Sequence, residues 1–181
     1  MLAKNNLLDI DLVLKRLNLK AGNNVADLGC GNFGFFVFPL ARLVGREGKV
    51  YAIDIIASAL DEIKRRAKIE NLAQVLTIRS NLEVVGATPL ADNSLDVALL
   101  INTLHQASSS LEMLKEASRL IKVGGRLLII DWVDEAAILG PSLERRLKKE
   151  KLLTAVEFLG FDLIEDFIPG PYHYGLIFKK K

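Results

Sequence analysis

Asn24-Val25-Ala26-Asp27-Leu28-Gly29-Cys30-Gly31-Asn32-Phe33-Gly34-Phe35 is the stretch on which the fold depends. A short apolar strand runs straight into a glycine-rich turn, and the turn opens a helix. Gly29, Gly31 and Gly34 can adopt positive φ and bring bare backbone against a ligand, which a side chain would obstruct. Asp54 follows twenty residues after the last of these glycines, at the end of a second apolar run, Val50 to Ile53. The Gly-x-Gly-x-x-Gly spacing fits a dinucleotide cradle. Asp27 argues otherwise. A carboxylate fixed at the carboxyl end of the strand repels a pyrophosphate and attracts a ligand carrying an ammonium and a sulfonium, because the sign of the Coulomb energy reverses.

On either side of this turn the pattern is one of alternating strands and helices. Upstream, Ile10, Val13, Leu14 and Leu17 follow helical spacing and predict an amphipathic helix. Downstream, Phe35 to Leu43 predicts the first crossover helix, with Pro39 tolerable only if the regular helix begins close to it. A second helix is predicted from Ser58, as cap, to Glu70, with Asp61/Arg65 and Glu62/Arg66 paired on its exposed side. Val75 to Ile78 predicts a third strand, and a polar stretch with Gly86, Pro89 and Asn93 follows. Leu95 to Ile101 and Arg126 to Ile130 are continuous apolar runs of the kind covered by helices on both faces. Between them, a Ser109/Glu112 capping box predicts a helix with Leu111, Leu114, Ala117, Leu120 and Ile121 inward, ended by Gly124 and Gly125. After a loop containing Gly140 and Pro141, a charged helix is expected from Ser142 to Leu159. Phe161 to Ile168 and His173 to Phe178 are too closely linked for a helical crossover and must pair antiparallel or diverge.

Length and composition limit what this chain can be. Its 181 residues suit one domain, 1–181, with no room for a separate substrate domain beside a full nucleotide-binding fold. Half the residues are hydrophobic and a quarter charged, with a net charge of +2. That balance points to a globular chain and gives no sign of nucleic-acid binding. Cys30 is the single cysteine, so no intramolecular disulfide forms. No leader or long apolar run is evident, and the expectation is a soluble protein of the cytoplasm with no membrane partner. The basic run around Arg145, Arg146, Lys148, Lys149 and Lys151 reads as a solvated helix face.

The motifs taken together resemble those of the class I S-adenosylmethionine-dependent methyltransferases, over nearly the whole chain. VADLGCGNFG is similar to the family's first motif and YAIDI to its second strand with a terminal acid. LLINTLHQ resembles the fourth strand and its loop, and VGGRLLIIDW the fifth strand with its glycine turn. The NTLHQ and DW segments resemble small-molecule enzymes grouped near quinone biosynthesis. The resemblance implies a doubly wound, Rossmann-like α/β fold: a mostly parallel seven-stranded sheet with helices on both faces and a C-terminal antiparallel hairpin.

It also implies a cofactor, S-adenosyl-L-methionine, and residues to hold it. Asp54 would accept hydrogen bonds from both ribose hydroxyls. Gly29, Cys30, Gly31 and Phe33 belong to the turn that receives the methionine part, and Asp27 would attract its ammonium unless it merely caps a turn. Ile55 and Leu82 would sandwich the adenine, or serve only as core, and Asn81 would meet its edge where many members have an acid. Asn102, ending the fourth strand, would contact the methionine end. His105 is the titratable candidate for a base, against a structural role at a helix entry. Asp131, at the same rim, would orient a substrate or act as the base, and Trp132 would pack.

A sulfonium is already activated toward methyl loss, so proximity carries most of the chemistry and a base is needed only where the acceptor sheds a proton. The loop after the fourth strand lacks the paired prolines of enzymes that methylate nucleic-acid amines. No Pro-Cys nucleophile and no thiolate cluster is present. The expected partner is a small organic acceptor, its identity, the acceptor atom and the choice of monomer or homodimer all open. Two alternatives stand beside this reading: an NAD-type oxidoreductase, and a catalytically inactive cofactor-binding subunit that regulates a partner.

Overall fold

A computed structural model describes residues 7–134 and 139–181. Residues 135–138, in the middle of the loop expected after Trp132, lie outside the described residues, as do 1–6.

The sheet has seven strands: β1 (Asn24–Leu28), β2 (Lys49–Asp54), β3 (Val75–Arg79), β4 (Leu95–Ile101), β5 (Ile121–Trp132), β6 (Phe161–Gly170) and β7 (His173–Lys180). Their spatial order is β3-β2-β1-β4-β5-β7-β6. The first five run parallel, and β7 lies antiparallel between β5 and β6. The strand order reverses between β1 and β4, and at such a reversal the two crossover loops part and leave a crevice above the carboxyl ends.

Helices cover both faces, and the pleat decides which residues meet them. Val25, Val50, Ala52, Val97, Leu99, Leu128 and Ile130 face α1 (Ile10–Arg16), α2 (Val37–Val44) and α3 (Ala57–Ile69). Their neighbours in sequence, Ala26, Ala98, Leu100, Leu127 and Ile129, face α4 (Ser110–Leu120) and α5 (Lys149–Phe158). Among the described residues no helix is long and apolar enough to cross a membrane.

Pro39 is the third residue of α2, within the first turn, where its missing N–H has no intrahelical partner to lose. Several local expectations are corrected. Ser58 lies inside α3 and does not cap it; Asp54 Oδ1 instead accepts the N–H of Ile56, the residue before that helix, at 3.0 Å. Arg65 pairs with Glu62 and Arg66 with Glu70, because three- and four-residue spacings are both neighbours on a helix and geometry chose differently. The Ser109/Glu112 capping box does not form. Glu112 pairs with Lys115, and the Ser109 N–H is taken by Glu83 at 2.8 Å.

Within α4, Leu111 is exposed and Met113 buried in its place. Ile121 already begins β5, so Gly124 and Gly125 lie within that strand; a Cβ on Gly125 would be 2.8 Å from Lys122 O. The last helix covers only Lys149–Phe158. Arg146 is not on a solvated face but buried, giving its guanidinium to the carbonyls of Val133, Leu139 and Pro141 at 3.0–3.1 Å. A fully formed donor fork satisfies three loop carbonyls at once, which explains why this arginine leaves water.

The segment from Ser80 to Ser94 has little regular structure, and Glu116 of α4 organises it. The fully buried carboxylate accepts Gly86 N (2.8 Å) and Thr88 N (3.1 Å) and pairs with Arg119 at 2.8 Å. Its desolvation is outweighed by the hydrogen bonds from Arg119 and the loop, which pull its pKa down to about 2. Arg119 in turn holds Thr88 O and Leu90 O.

Candidate functional site

The crevice begins where β1 ends. Gly29 N and Cys30 N both donate to Ile53 O, at 2.8 and 3.1 Å, tying the glycine turn to the end of β2. Gly29 has φ of +84°, and a Cβ there would stand 2.4 Å from Thr103 Cγ2, so the loops after β1 and β4 can approach this closely only with glycine. Asp54 closes the turn from the other side. Its Oδ2 accepts Gly31 N at 2.9 Å and its Oδ1 accepts Ile56 N at 3.0 Å. Each oxygen keeps a second lone pair, so the carboxylate shapes the turn and can still receive two hydroxyls.

Beside Asp54 opens a cavity of about 310 Å³ that brings together Gly29, Gly31, Ile55, Asn81 and Leu82. Ile55 is 55% exposed and Leu82 only 5%, a free apolar jaw facing a fixed one. Phe33 takes another place. It is 62% exposed, leans on Phe35 with ring centroids 5.3 Å apart, and lines an adjoining cleft of about 700 Å³ with Asn32 and Ser58. Burial, and then the carboxylates of Asp27 and Asp54, push the Cys30 thiol far above its ordinary pKa. It stays a thiol and makes no nucleophile.

Asp27 is 4% exposed, and no hydrogen-bond donor reaches its carboxylate among the described residues. It caps nothing there. Burial first, and the Asp54 carboxylate second, raise its pKa to about 7. A ligand cation would supply the missing charge. Asn102 offers a second unfilled group: it sits in the left-handed region (φ 54°), and its side-chain oxygen is buried without a partner. Its backbone is fully engaged, with N on Ile130 O at 2.8 Å and O on Gln106 Nε2 at 2.6 Å. The glycine approach, two carboxylates at strand ends and an orphaned amide oxygen fit an adenosyl ligand with an ammonium-bearing tail.

On the other half of the crevice, His105 lies in a short 3-10 turn, Leu104–Gln106, and Asp131 near the end of β5. The structure puts them in contact, Nδ1 to Oδ1 at 2.8 Å. Asp131 also accepts His105 N at 3.2 Å and Trp132 N at 2.8 Å. A carboxylate on Nδ1 fixes the proton there and leaves Nε2 with a lone pair. Asp131 is completely buried, and both of its oxygens accept hydrogen bonds within the fold, Oδ2 from His105 N and Oδ1 from His105 Nδ1 and Trp132 N. Trp132 packs against His173, ring centroids 4.3 Å apart. Burial lowers the His173 pKa to about 4, the Asp131 carboxylate pulling the other way, and the ring is neutral at physiological pH. Tyr174 pairs directly across from Asp131 in the sheet, and its hydroxyl is buried without a partner. Both residues of the hairpin are buried in the core.

The sequence pattern marks none of Thr103, Glu83, Gln106, Met113 and Arg146 as a site residue. The first four line the cavity, and Arg146 holds the loop that follows β5. Only Thr103 and Gln106 stood within a quoted motif. No group of acidic, histidine or cysteine side chains able to hold a metal is present among the described residues.

Comparison with known proteins agrees with this architecture. A family model described as a methyltransferase domain matches residues 19–168. The crystal structure of a SAM-dependent methyltransferase from Aquifex aeolicus superposes with a TM-score of 0.86 at 29% identity, covering 98% of this chain and 93% of that one. Demethylmenaquinone methyltransferase of Geobacillus stearothermophilus is 32% identical over 62% of this chain and 47% of its own length. The Lactococcus lactis enzyme of the same name is 31% identical, over 65% and 45% respectively. The chain thus spans about half the length of these curated relatives. The strand order with its antiparallel β7, the glycine turn closed by Asp54 and the matching domain model lead to one conclusion: the chain belongs to the class I S-adenosylmethionine-dependent methyltransferases.

Proposed function

We propose that residues 1–181 act as one catalytic domain that transfers a methyl group, by in-line displacement, to a small organic acceptor whose reacting atom sheds a proton. The observation that carries this reading is the His105–Asp131 contact at 2.8 Å. S-adenosylmethionine, when bound, supplies a methyl group already activated as a sulfonium substituent. The chain's own residues do the rest. Asp27 and Asn102 hold the ammonium end, Asp54 the ribose, and Ile55 with Leu82 the adenine. Cys30 and Gly31 contribute backbone to the turn, and Phe33 shields its outer side. Asp131 holds His105 so that Nε2 receives the acceptor's proton as the new bond forms.

The demethylmenaquinone methyltransferases among the relatives support an acceptor of the ring hydroxyl or ring carbon class. The free Cys30 suits a cytoplasmic location. The test is incubation of labelled donor with a panel of phenolic, quinol and amine acceptors. Transfer to a phenolic or quinol acceptor that is lost in His105→Asn supports the reading; transfer only to amines, unaffected by that substitution, would refute it.

A further inference from the structure

The sheet has two edges, β3 and β6, and the chain treats them differently. Along β6 the register with β7 shifts between Leu163 and Glu165 and again between Phe167 and Gly170. Pro169 stands in the strand and its carbonyl accepts Asp9 N at 2.8 Å, while Leu7 O lies so near Gly170 that a Cβ there would be 1.9 Å from it. Asp162, Glu165 and Asp166 add acids, paired with Lys181, Arg16 and Lys149. Bulges, a proline, charges and a covering segment all keep an edge from pairing with another chain.

The β3 edge has none of these. Val75 to Arg79 stays in unbroken parallel register with β2 and contains no proline and no acid. Its one charged side chain, Arg79, turns back and gives Nε to Ile55 O at 3.1 Å. No residue of the strand is buried, and Leu76 is 40% exposed. The two ends of the ladder fix the phase of the backbone. Val50 N donates to Gln74 O and Ser80 N to Asp54 O, so Leu76 and Ile78 turn their amides toward β2, and Val75, Thr77 and Arg79 turn theirs outward. Val75 N is taken by Leu72 O at 3.1 Å. Among the described residues no hydrogen bond reaches Val75 O, or the N–H and carbonyl of Thr77 and Arg79.

We propose that β3 is the interface between two copies of this chain, paired antiparallel about a twofold axis at Thr77, so that the two sheets become one. In that register the whole of β3 overlaps with its copy: Thr77 faces Thr77, Val75 faces Arg79 and Leu76 faces Ile78. The outward amides then meet in phase, Thr77 N on Thr77 O and Arg79 N on Val75 O, each repeated by symmetry. Leu76 gains an apolar cross-strand neighbour, and no like charges stand opposite each other. The same axis sets α3, which packs over β3, beside its copy in reverse direction. That helix carries Asp61 and Glu62 ahead of Lys64, Arg65, Arg66 and Lys68, so the acidic half of one runs beside the basic half of the other. Backbone alone would accept any strand; the reversed charges suit a copy.

The test is sedimentation velocity of the full chain over a range of concentrations, for wild type, T77P and L76K. Wild type is expected to dimerise. The Thr77 N–H has no partner within the chain, so a proline there costs the fold no ladder bond and removes the intermolecular bonds at the axis. L76K changes an exposed side chain and sets a charge against Ile78 of the copy. Each substitution should raise the dissociation constant of the dimer at least about tenfold, with the far-UV circular dichroism spectrum unchanged. If T77P fails that check, L76K decides alone. A wild type that stays monomeric at every concentration, or a dimer that either folded variant leaves as tight as before, would overturn the proposal.

Discussion

Asp27 and Asp131 are both buried carboxylates at the carboxyl ends of parallel strands, and they are used in opposite ways. Asp27 faces the α2 side of the sheet with Asp54 as its electrostatic neighbour and no donor on its oxygens. Asp131 continues the alternation of Leu127 and Ile129 toward the α4 side and accepts from His105 twice and from Trp132 once. The first is left without a donor, and its burial favours the protonated form. The second is a finished internal pair with His105. One sheet end thus carries the proposed binding half, around a carboxylate without a donor among the described residues, and the proposed chemical half, around one that accepts three hydrogen bonds.

The largest expected effect breaks the finished pair. His105→Asn should lower kcat by about 10²–10⁴-fold, the usual share of a positioned base, with the affinity for S-adenosylhomocysteine within about twofold. Steady-state kinetics beside calorimetry separates the two, and equal loss of both would make His105 structural. Next comes the scaffold shared by the halves. Glu116→Ala leaves two loop N–H groups without their acceptor and takes one carboxylate from Arg119, which keeps Asp92 and two carbonyls, and should cost about 2–5 kcal/mol of stability in denaturant unfolding. A change below about 1 kcal/mol would show that the Ser80 to Ser94 loop stands without it.

Within the binding half, Asp54→Ala should weaken S-adenosylhomocysteine binding by about 1.5–3 kcal/mol, reflecting charge-assisted hydrogen bonds to the ribose. Unchanged affinity would remove that assignment. The smallest effect isolates Asp27. Its pKa is raised to about 7 from an ordinary 3.8, so the unbound fold loses stability as pH rises from about 4 through about 7. An ammonium-bearing ligand needs the ionised form, so its affinity should improve about tenfold between pH 6 and pH 8. Asp27→Asn should flatten that profile. A flat wild-type profile would place the ammonium elsewhere.

The binding half was readable because its parts are neighbours in sequence or stand at strand ends. The glycine turn and Asp54 need only the βα pattern to be placed, and the family resemblance adds Ile55 and Leu82, which line the same cavity. The acceptor half depends on contacts across long separations. His105 and Asp131 were each picked out as chemically apt, but their pairing crosses 26 residues and follows from the β4/β5 register, which no local pattern encodes. Ser109 and Glu112 have the right spacing for a capping box, yet Glu83 arrives from another loop and takes the same N–H. Arg146 shows the same limit. In a run of basic residues nothing marks the one whose guanidinium meets three carbonyls, and that choice is made by the fold of the loop before α5. Leu111 is exposed and Met113 buried because they lie at opposite edges of the stripe centred on Ala117, and helical period does not fix which edge is covered.

With Asp27 unpaired and Asp54 at the glycine turn, the crevice should select an ammonium-bearing adenosyl ligand over a dinucleotide. Parallel calorimetric titrations of the chain with S-adenosylhomocysteine and with NAD test it most directly. The expected result is saturable one-to-one binding of the thioether, tighter at pH 8 than at pH 6, and no binding of NAD. Binding of NAD without binding of S-adenosylhomocysteine would contradict it.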